Sequence, residues 1–254
     1  MDNENALYKV ALYAGEIMVR SGSETYRAED TIRRMLNSRG KPNVATFVSP
    51  TVIIIGDRDT DGVCYVQNIS ERSSNLEKIE LVNTLSRRFV DENITVEEAN
   101  EELKKIASIK GYPYWLSYLG CTLSCAIFAV LIGGRALDFF AAFIASGIAF
   151  HTNNKISEMS HTVFLGNYLA SALVSIVALL FYHLGFSANL DSTIVGSVLP
   201  LVPGVAFTNG IRDFISGDLI SGTARCIEAV MIGIAIAFGV GSVLTLYNFF
   251  GGII

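Results

Sequence analysis

The strongest constraint in this sequence is where its charges are missing. Of 19 Lys+Arg and 24 Asp+Glu, only 4 and 6 fall in residues 113–254, which leaves 15 and 18 for residues 1–112. A water-facing domain of 142 residues does not cover its surface with ten formal charges. The carboxyl-terminal stretch is therefore expected in lipid. The first 112 residues have the composition of an ordinary soluble domain. The same counts exclude disordered, collagen-like and disulfide-scaffold classes. A net charge of −5 argues against nucleic acid held by phosphate contacts.

Within residues 1–112 the hydrophobic period changes twice. Ala6–Val19 repeats apolar residues at helical spacing, and Ser23 is placed to cap a second helix, Glu24–Arg39, which Gly40 and Pro42 end. Asn43–Ser49, Thr51–Gly56 and Val63–Ile69 have strand chemistry, with Pro50 and the turn Asp57–Gly62 between them. The D-x-D-x-D-G run of that turn resembles a calcium loop. The closing Glu is absent, since position 68 is Asn68, and strands rather than helices flank it. Asn75–Phe89 and Val96–Ser108 read as helices, the second opened by a capping box at Thr95 and Glu98. The sum is a small cytoplasmic α+β domain over 1–112.

Residues 113–254 read as an α-helical integral membrane bundle of about five transmembrane helices, near 115–132, 136–153, 163–184, 190–207 and 223–247. Pro200, Pro203 and Gly204 interrupt the fourth. Met1–Lys9 is polar, so no cleaved signal is expected. Lys104, Lys105, Lys110, Lys155, Arg212 and Arg225 fall on one side, against Arg135 on the other. The positive-inside rule then puts the amino terminus in the cytoplasm and the carboxyl terminus outside. Small residues at four-residue spacing (Ala141/Ala145, Ser171/Ser175, Ala235/Gly239, Ala237/Gly241) predict close helix packing. An odd number of spans suggests completion by a partner chain or by self-association.

Polar groups at membrane depth mark candidate chemistry. They concentrate in 200–228, where Pro203 and Gly204 break a helix and Asn209, Asp213, Asp218, Arg225 and Glu228 follow. Two readings stand for this run: a solvated loop over 211–221, or a substrate or proton path. Glu228 is either the i,i+3 partner of Arg225 or a coupling carboxylate. Asn167 is either an inter-helix hydrogen-bond donor or part of the same path. Asp138 is expected to pair with Arg135 in an outer loop. Cys64, Cys121, Cys125 and Cys226 and the three histidines (His151, His161, His183) share no ligand spacing, so no metal and no cofactor are expected. In the soluble part, Ser21–Arg27 offers Ser, Glu24, Thr25 and Arg27 but no histidine, a poor hydrolase constellation.

Ala14–Thr31 (A-G-E-I-M-V-R-S-G-S-E-T-Y-R-A-E-D-T), Phe47–Thr51, the Trp115–Gly134 run with Asp138, and Leu201–Arg225 together resemble the threonine/serine exporter family over nearly the whole chain. The resemblance implies a bacterial inner-membrane secondary transporter, not an enzyme, exporting small amino or organic acids such as threonine, serine or succinate. It also implies the larger, five-span subunit of a two-chain form, with a small membrane subunit as partner. The alternatives are a sensor or hydrolase acting through the soluble domain, and a regulatory subunit whose partner holds the path. No nucleotide-binding P-loop is present to drive transport with ATP.

Overall fold

The structure is a computed structural model that describes residues 2–59, 64–70, 72–92, 94–160 and 162–251. Val63, His161 and the 60–62 part of the expected hairpin turn lie outside the described residues. The elements run α1 (Asp2–Arg20), α2 (Thr25–Asn37), β1 (Val44–Val48), β2 (Val52–Asp57), β3 (Cys64–Asn68), α3 (Leu76–Asp91), α4 (Val96–Ser108), α5 (Tyr114–Leu131), α6 (Ala136–Ser160), α7 (Val163–His183), α8 (Leu190–Val198), a 3-10 turn (Leu199–Leu201), α9 (Gly204–Ile215) and α10 (Leu219–Phe249). They gather into two compact units. One comprises Met1–Gly111 and Val205–Ile227, the other Tyr112–Gly204 and Glu228–Ile254. The segment 205–227 thus folds with the amino-terminal residues.

The first unit is built around α1, which packs on α2, α3, α4 and the sheet. Leu7, Val10, Ala11, Ala14, Met18 and Val19 cover so much of its circumference that it is buried on nearly every side. The sheet is antiparallel in the order β1-β2-β3, with Val48 opposite Ile53 and Ile54 opposite Val66. Its period-2 alternation sends Ile53 and Ile55 into the core. Asn75 caps α3 through Lys78 N, and Thr95 and Glu98 form the expected capping box on α4.

The second unit inverts this arrangement. Of the largest fully buried side chains, only Val174 belongs to it; Phe89, Met18, Ile32, Met35 and Leu36 are all in the first. Its interior is made of small residues: Ala141, Ala142, Ala145 and Ser146 on α6, and Ala170, Ser171, Ser175 and Ala178 on α7. Phe140, Ile144, Leu173, Ile176 and Phe238 point outward. Where the surroundings are as apolar as leucine, burying large side chains gains nothing, and close backbone approach decides packing. Ala235 and Gly239 are buried as expected, and a Cβ on Gly239 would run into Ser171 and Tyr168 of α7. Ala237 is exposed and a Cβ on Gly241 would meet nothing, so no close helix approach is seen at that pair.

Among the described residues, three helices, α5, α7 and α10, are long and apolar enough to cross a membrane. A fourth span arises if α8 with its 3-10 turn and α9 count as one bent piece. The expected span 136–153 is helical, but Asp138 near its start and His151–Lys155 near its end leave a shorter apolar stretch. The expected fourth span, 190–207, breaks where sequence chemistry requires. Pro200 and Pro203 bring no N–H, so the carbonyls of Gly196 and Leu199 lose their helical donors, and Val202 N takes that of Leu199 at 3.2 Å.

Asp138 departs from the expected ion pair. It is completely buried, and its Oδ2 accepts the backbone N–H of Arg135 at 2.7 Å. Its Oδ1 accepts from Ser187 Oγ (2.8 Å), Ala188 N (2.7 Å) and Asn189 N (2.9 Å), pinning the start of α6 to the turn before α8. A carboxylate satisfied by backbone donors needs no side-chain cation.

In the first unit, α9 and the first turns of α10 form a tight hairpin through Ser216–Asp218, with Gly217 at φ +87°. A Cβ on Gly210 would meet Cys226 Sγ at 2.7 Å and Cys226 N at 3.2 Å, and one on Gly222 would meet the Phe214 ring at 2.9 Å. In an open helix, Gly→Ala would gain ~0.5–1 kcal/mol. Here the clash, of order 1–3 kcal/mol, outweighs that gain. Gly210→Ala is therefore expected to lower the unfolding temperature of the purified protein; a rise would contradict the close approach.

Candidate functional site

Three of the motifs noted in the sequence meet in the first unit. The turn Gly22–Glu24 enters α2, whose first N–H groups lie without a local cap. Ser23, the expected cap residue, turns its hydroxyl to the Glu24 carbonyl instead, and the residue in the cap position, Glu24, makes no side-chain cap bond. The cap comes from 188 residues away. Asp213 of α9 is completely buried, and its Oδ1 accepts from Thr25 N at 3.2 Å and from Thr25 Oγ1 at 2.9 Å. A carboxylate at a helix N-terminus is favoured by the orphan donors and by the dipole.

Around this contact further polar groups converge. Arg225 of α10, also buried, donates from Nη2 to the Ser23 carbonyl at 2.7 Å and holds Nε 3.2 Å from Asp213 Oδ2. Asn209 Nδ2 donates to the Gly22 carbonyl at 2.8 Å. Asp218 caps α10, accepting from Ser221 N at 3.1 Å, and its Oδ2 stands 2.9 Å from Thr25 Oγ1. Ser221 Oγ reaches the Val48 carbonyl at 3.3 Å, which brings in the Phe47–Thr51 motif.

Glu24 is the second buried carboxyl, its side chain 6% exposed. Its Oε1 accepts from Arg212 Nη1 at 2.5 Å, and Oε2 pairs with Arg27 Nη1 at 3.3 Å. Burial alone would raise this carboxyl, but the Glu24 backbone N–H, Arg212 and Arg27 overcome it and hold it below the usual carboxylate range. Two carboxyls (Glu24, Asp213) thus face three guanidiniums (Arg27, Arg212, Arg225), while Asp218 faces Thr25 Oγ1 and Ser221 N.

The structure therefore brings together Glu24, Thr25, Arg27, Asn209, Asp213, Asp218 and Arg225. Asp213 is buried and 211–215 is helical, so the reading of 211–221 as a solvated loop does not hold for Asp213, while Arg212 and the turn at Ser216–Gly217 are exposed as that reading expects. The carbonyls of Gly22 and Ser23, and Ser221, went unnoticed in the sequence because main-chain acceptors and small hydroxyls carry no pattern. Pro203, Gly204, Asn167 and Glu228 belong to the second unit. Pro203 and Gly204 sit at the helix break. Glu228 is half-buried on α10. Asn167 is buried on α7; its Nδ2 donates to Val163 O at 2.8 Å, while its Oδ1 has no hydrogen-bond partner among the described residues. No grouping of three or more metal-binding side chains occurs among the described residues.

Residues 9–247 match the family described as "Putative threonine/serine exporter". The chain is 22% identical to a protein of Klebsiella aerogenes named "Probable succinate transporter subunit YjjP", over 98% of this chain and 96% of that one. The Escherichia coli K12 protein of the same name is 24% identical over 98% of each. The "Probable threonine/serine exporter" of Mycobacterium tuberculosis is 21% identical over 89% of this chain but only 43% of its own length. No solved structure matches.

Two outcomes follow from the geometry. Thr25→Val removes a hydroxyl from a buried polar contact and is expected to cost ~1–3 kcal/mol in a thermal or denaturant melt, while Thr25→Ser keeps most of it. Glu24 titrates lower in the folded than in the unfolded chain, where a glutamate titrates near about 4.3. Its contribution to stability is thus complete above that pH and lost as pH falls through the lower folded value. Glu24→Gln should therefore flatten the acid limb of stability against pH, read by melts between neutral and acid pH.

Proposed function

Because the chain belongs to the threonine/serine exporter family, we propose that it is a secondary transporter subunit exporting small hydrophilic solutes, amino acids of the threonine/serine type or dicarboxylates such as succinate, across a bacterial inner membrane. In this reading the first unit is cytoplasmic and the carboxyl terminus lies outside. A second, smaller membrane subunit completes the path. One fact supports the two-chain form: the Klebsiella and Escherichia relatives are named as transporter subunits.

One observation carries the mechanistic part. The segment after the proline break, 205–227, is folded onto the amino-terminal residues. A broken helix at membrane depth frees backbone groups for a passing solute. The helix leaving that break is held by Asp213, Asn209 and Arg225 to the start of α2. Whatever moves the amino-terminal unit moves α9, so the soluble unit acts as the handle of a gate rather than as an enzyme. Within Ser21–Arg27, which sequence alone left open to a hydrolase, Glu24 reaches Arg212 of α9 and the Ser23 carbonyl accepts from Arg225 of α10. Glu228 and Asn167 remain the residues of the second unit best placed by chemistry to meet a solute or a proton.

The test is uptake of labelled amino acids and dicarboxylates into inverted vesicles, with and without the smaller subunit. Accumulation of at least one class supports the reading; no flux of any class by well-inserted protein overturns it. Glu228→Gln is expected to reduce flux about tenfold, equivalent to ~1.4 kcal/mol of barrier, at unchanged membrane insertion. Pro203→Ala, by restoring a helical donor at the break, should impair flux as well. Wild-type flux in both variants would remove the break and the carboxylate from the mechanism.

A further inference from the structure

The contact of Thr25 with two aspartates contains a proton count. Thr25 Oγ1 lies 2.9 Å from Asp213 Oδ1 and 2.9 Å from Asp218 Oδ2. Both are hydrogen-bond lengths, and two full hydrogen bonds need two hydrogens. A hydroxyl carries one hydrogen and two lone pairs, and an ionised carboxylate carries none. With both aspartates charged, one hydrogen would have to be shared as a weaker three-centre bond between two like charges. We propose that Asp213, Thr25 and Asp218 form a proton-binding site, holding one proton on the carboxyl pair in addition to the threonine's own.

The surroundings leave the proton shared by the pair. Burial raises the Asp213 carboxyl, against Arg225 and the two Thr25 donors, which favour its charged form. Asp218 has Ser221 N on Oδ1, and its Oδ2 is left to face Thr25. The chain of donors then runs from the protonated carboxyl to Thr25 Oγ1, and from Thr25 Oγ1–H to the other aspartate. Asp218 also lines an open groove of about 390 Å³ with Tyr26, Glu29, Asp30 and Arg33, so water reaches it.

The charged groups facing the pair come from three elements. The start of α2 brings Glu24, tied to Arg27 and Arg212, and further along it Glu29 and Asp30 are tied to Arg33 and Arg34. The α9 helix brings Arg212, and α10 brings Arg225. The β1 residues at the groove, Phe47 and Val48, bring no charge. The nearby acids other than the pair are thus each matched by a guanidinium.

Release is a single proton transfer. The pair gives its proton to groove water by way of Asp218 Oδ2, and both aspartates are then carboxylates. The single hydrogen of Thr25 is left to serve two like charges, and the contact weakens. Loading the proton therefore favours the docked hairpin of α9 and α10 on α2, and losing it loosens that docking. Use of this step in coupling rests on the export reading above; the bound proton itself does not.

The test uses the full chain in lipid nanodiscs, titrated while the carbonyl stretch of protonated carboxyl groups is followed by infrared difference spectroscopy. Expected is a carboxyl that stays protonated well above the ordinary aspartate range near about 3.9. It should disappear in Asp218→Asn, whose amide keeps a donor toward Thr25, and persist in Thr25→Ser. In Thr25→Ala, which lacks the oxygen that accepts the acid's hydrogen bond, it should titrate closer to the ordinary range, an arm that remains readable if Asp218→Asn folds poorly. Because the folded chain would hold a proton that the unfolded chain releases, wild-type stability should fall as pH rises through that titration. An absent band in the wild type, or an unchanged band in Asp218→Asn or Thr25→Ala, overturns the proposal whether or not the protein transports anything. Vesicle flux without such a band leaves export standing and this site rejected.

Discussion

A charged side chain cannot be buried alone, and Asp213 is wholly buried. The energy of removing a carboxylate from water is recovered only when donors and a cation surround it. Here the donors are the N–H and hydroxyl of Thr25, and the cation is Arg225. That requirement fixes a good deal of geometry. It places the α9–α10 hairpin at the start of α2, gives that helix a cap it does not supply itself, and brings Ser221 onto the end of β1. The glycines at 210 and 222 let the two helices of the hairpin close tightly enough for Asp213 and Arg225 to face one another.

The two units solve the problem of a stable interior by opposite means. The amino-terminal unit buries Phe89, Met18, Ile32 and Leu103, as a water-driven core does. The other unit keeps alanine, serine and glycine inside and shows phenylalanine and isoleucine outside, the arrangement expected when lipid replaces water. Its buried hydroxyls, Thr122, Ser146 and Ser197, donate to carbonyls of their own helices, so they consolidate the bundle. Asp138 is the exception, a buried charge there, and backbone N–H groups and serine satisfy it.

Much of this was legible from residue order. The strands around Pro50, the capping box at Thr95, the helix break at Pro203 and the small-residue seam through Ala235 and Gly239 rest on local rules, and the structure follows them. Asp138 does not form the ion pair expected with Arg135, for a clear physical reason. Sequence proximity suggested a side-chain partner, but the carboxylate turned to backbone donors that no sequence displays. The expected Ser23 cap failed for the related reason that a better acceptor arrives from a distant helix.

The sequence by itself determined that the chain has a water-compatible part and a lipid-compatible part, and that polar groups crowd into the segment after the proline break. Composition and periodicity are local quantities, and both facts follow from them. Only the tertiary structure decided that this segment folds with the amino-terminal residues, and that Glu24, Thr25, Asp213, Asp218 and Arg225 form one network. Pairing across 188 positions depends on which buried charge finds which donor in three dimensions, and no spacing along the chain encodes that choice.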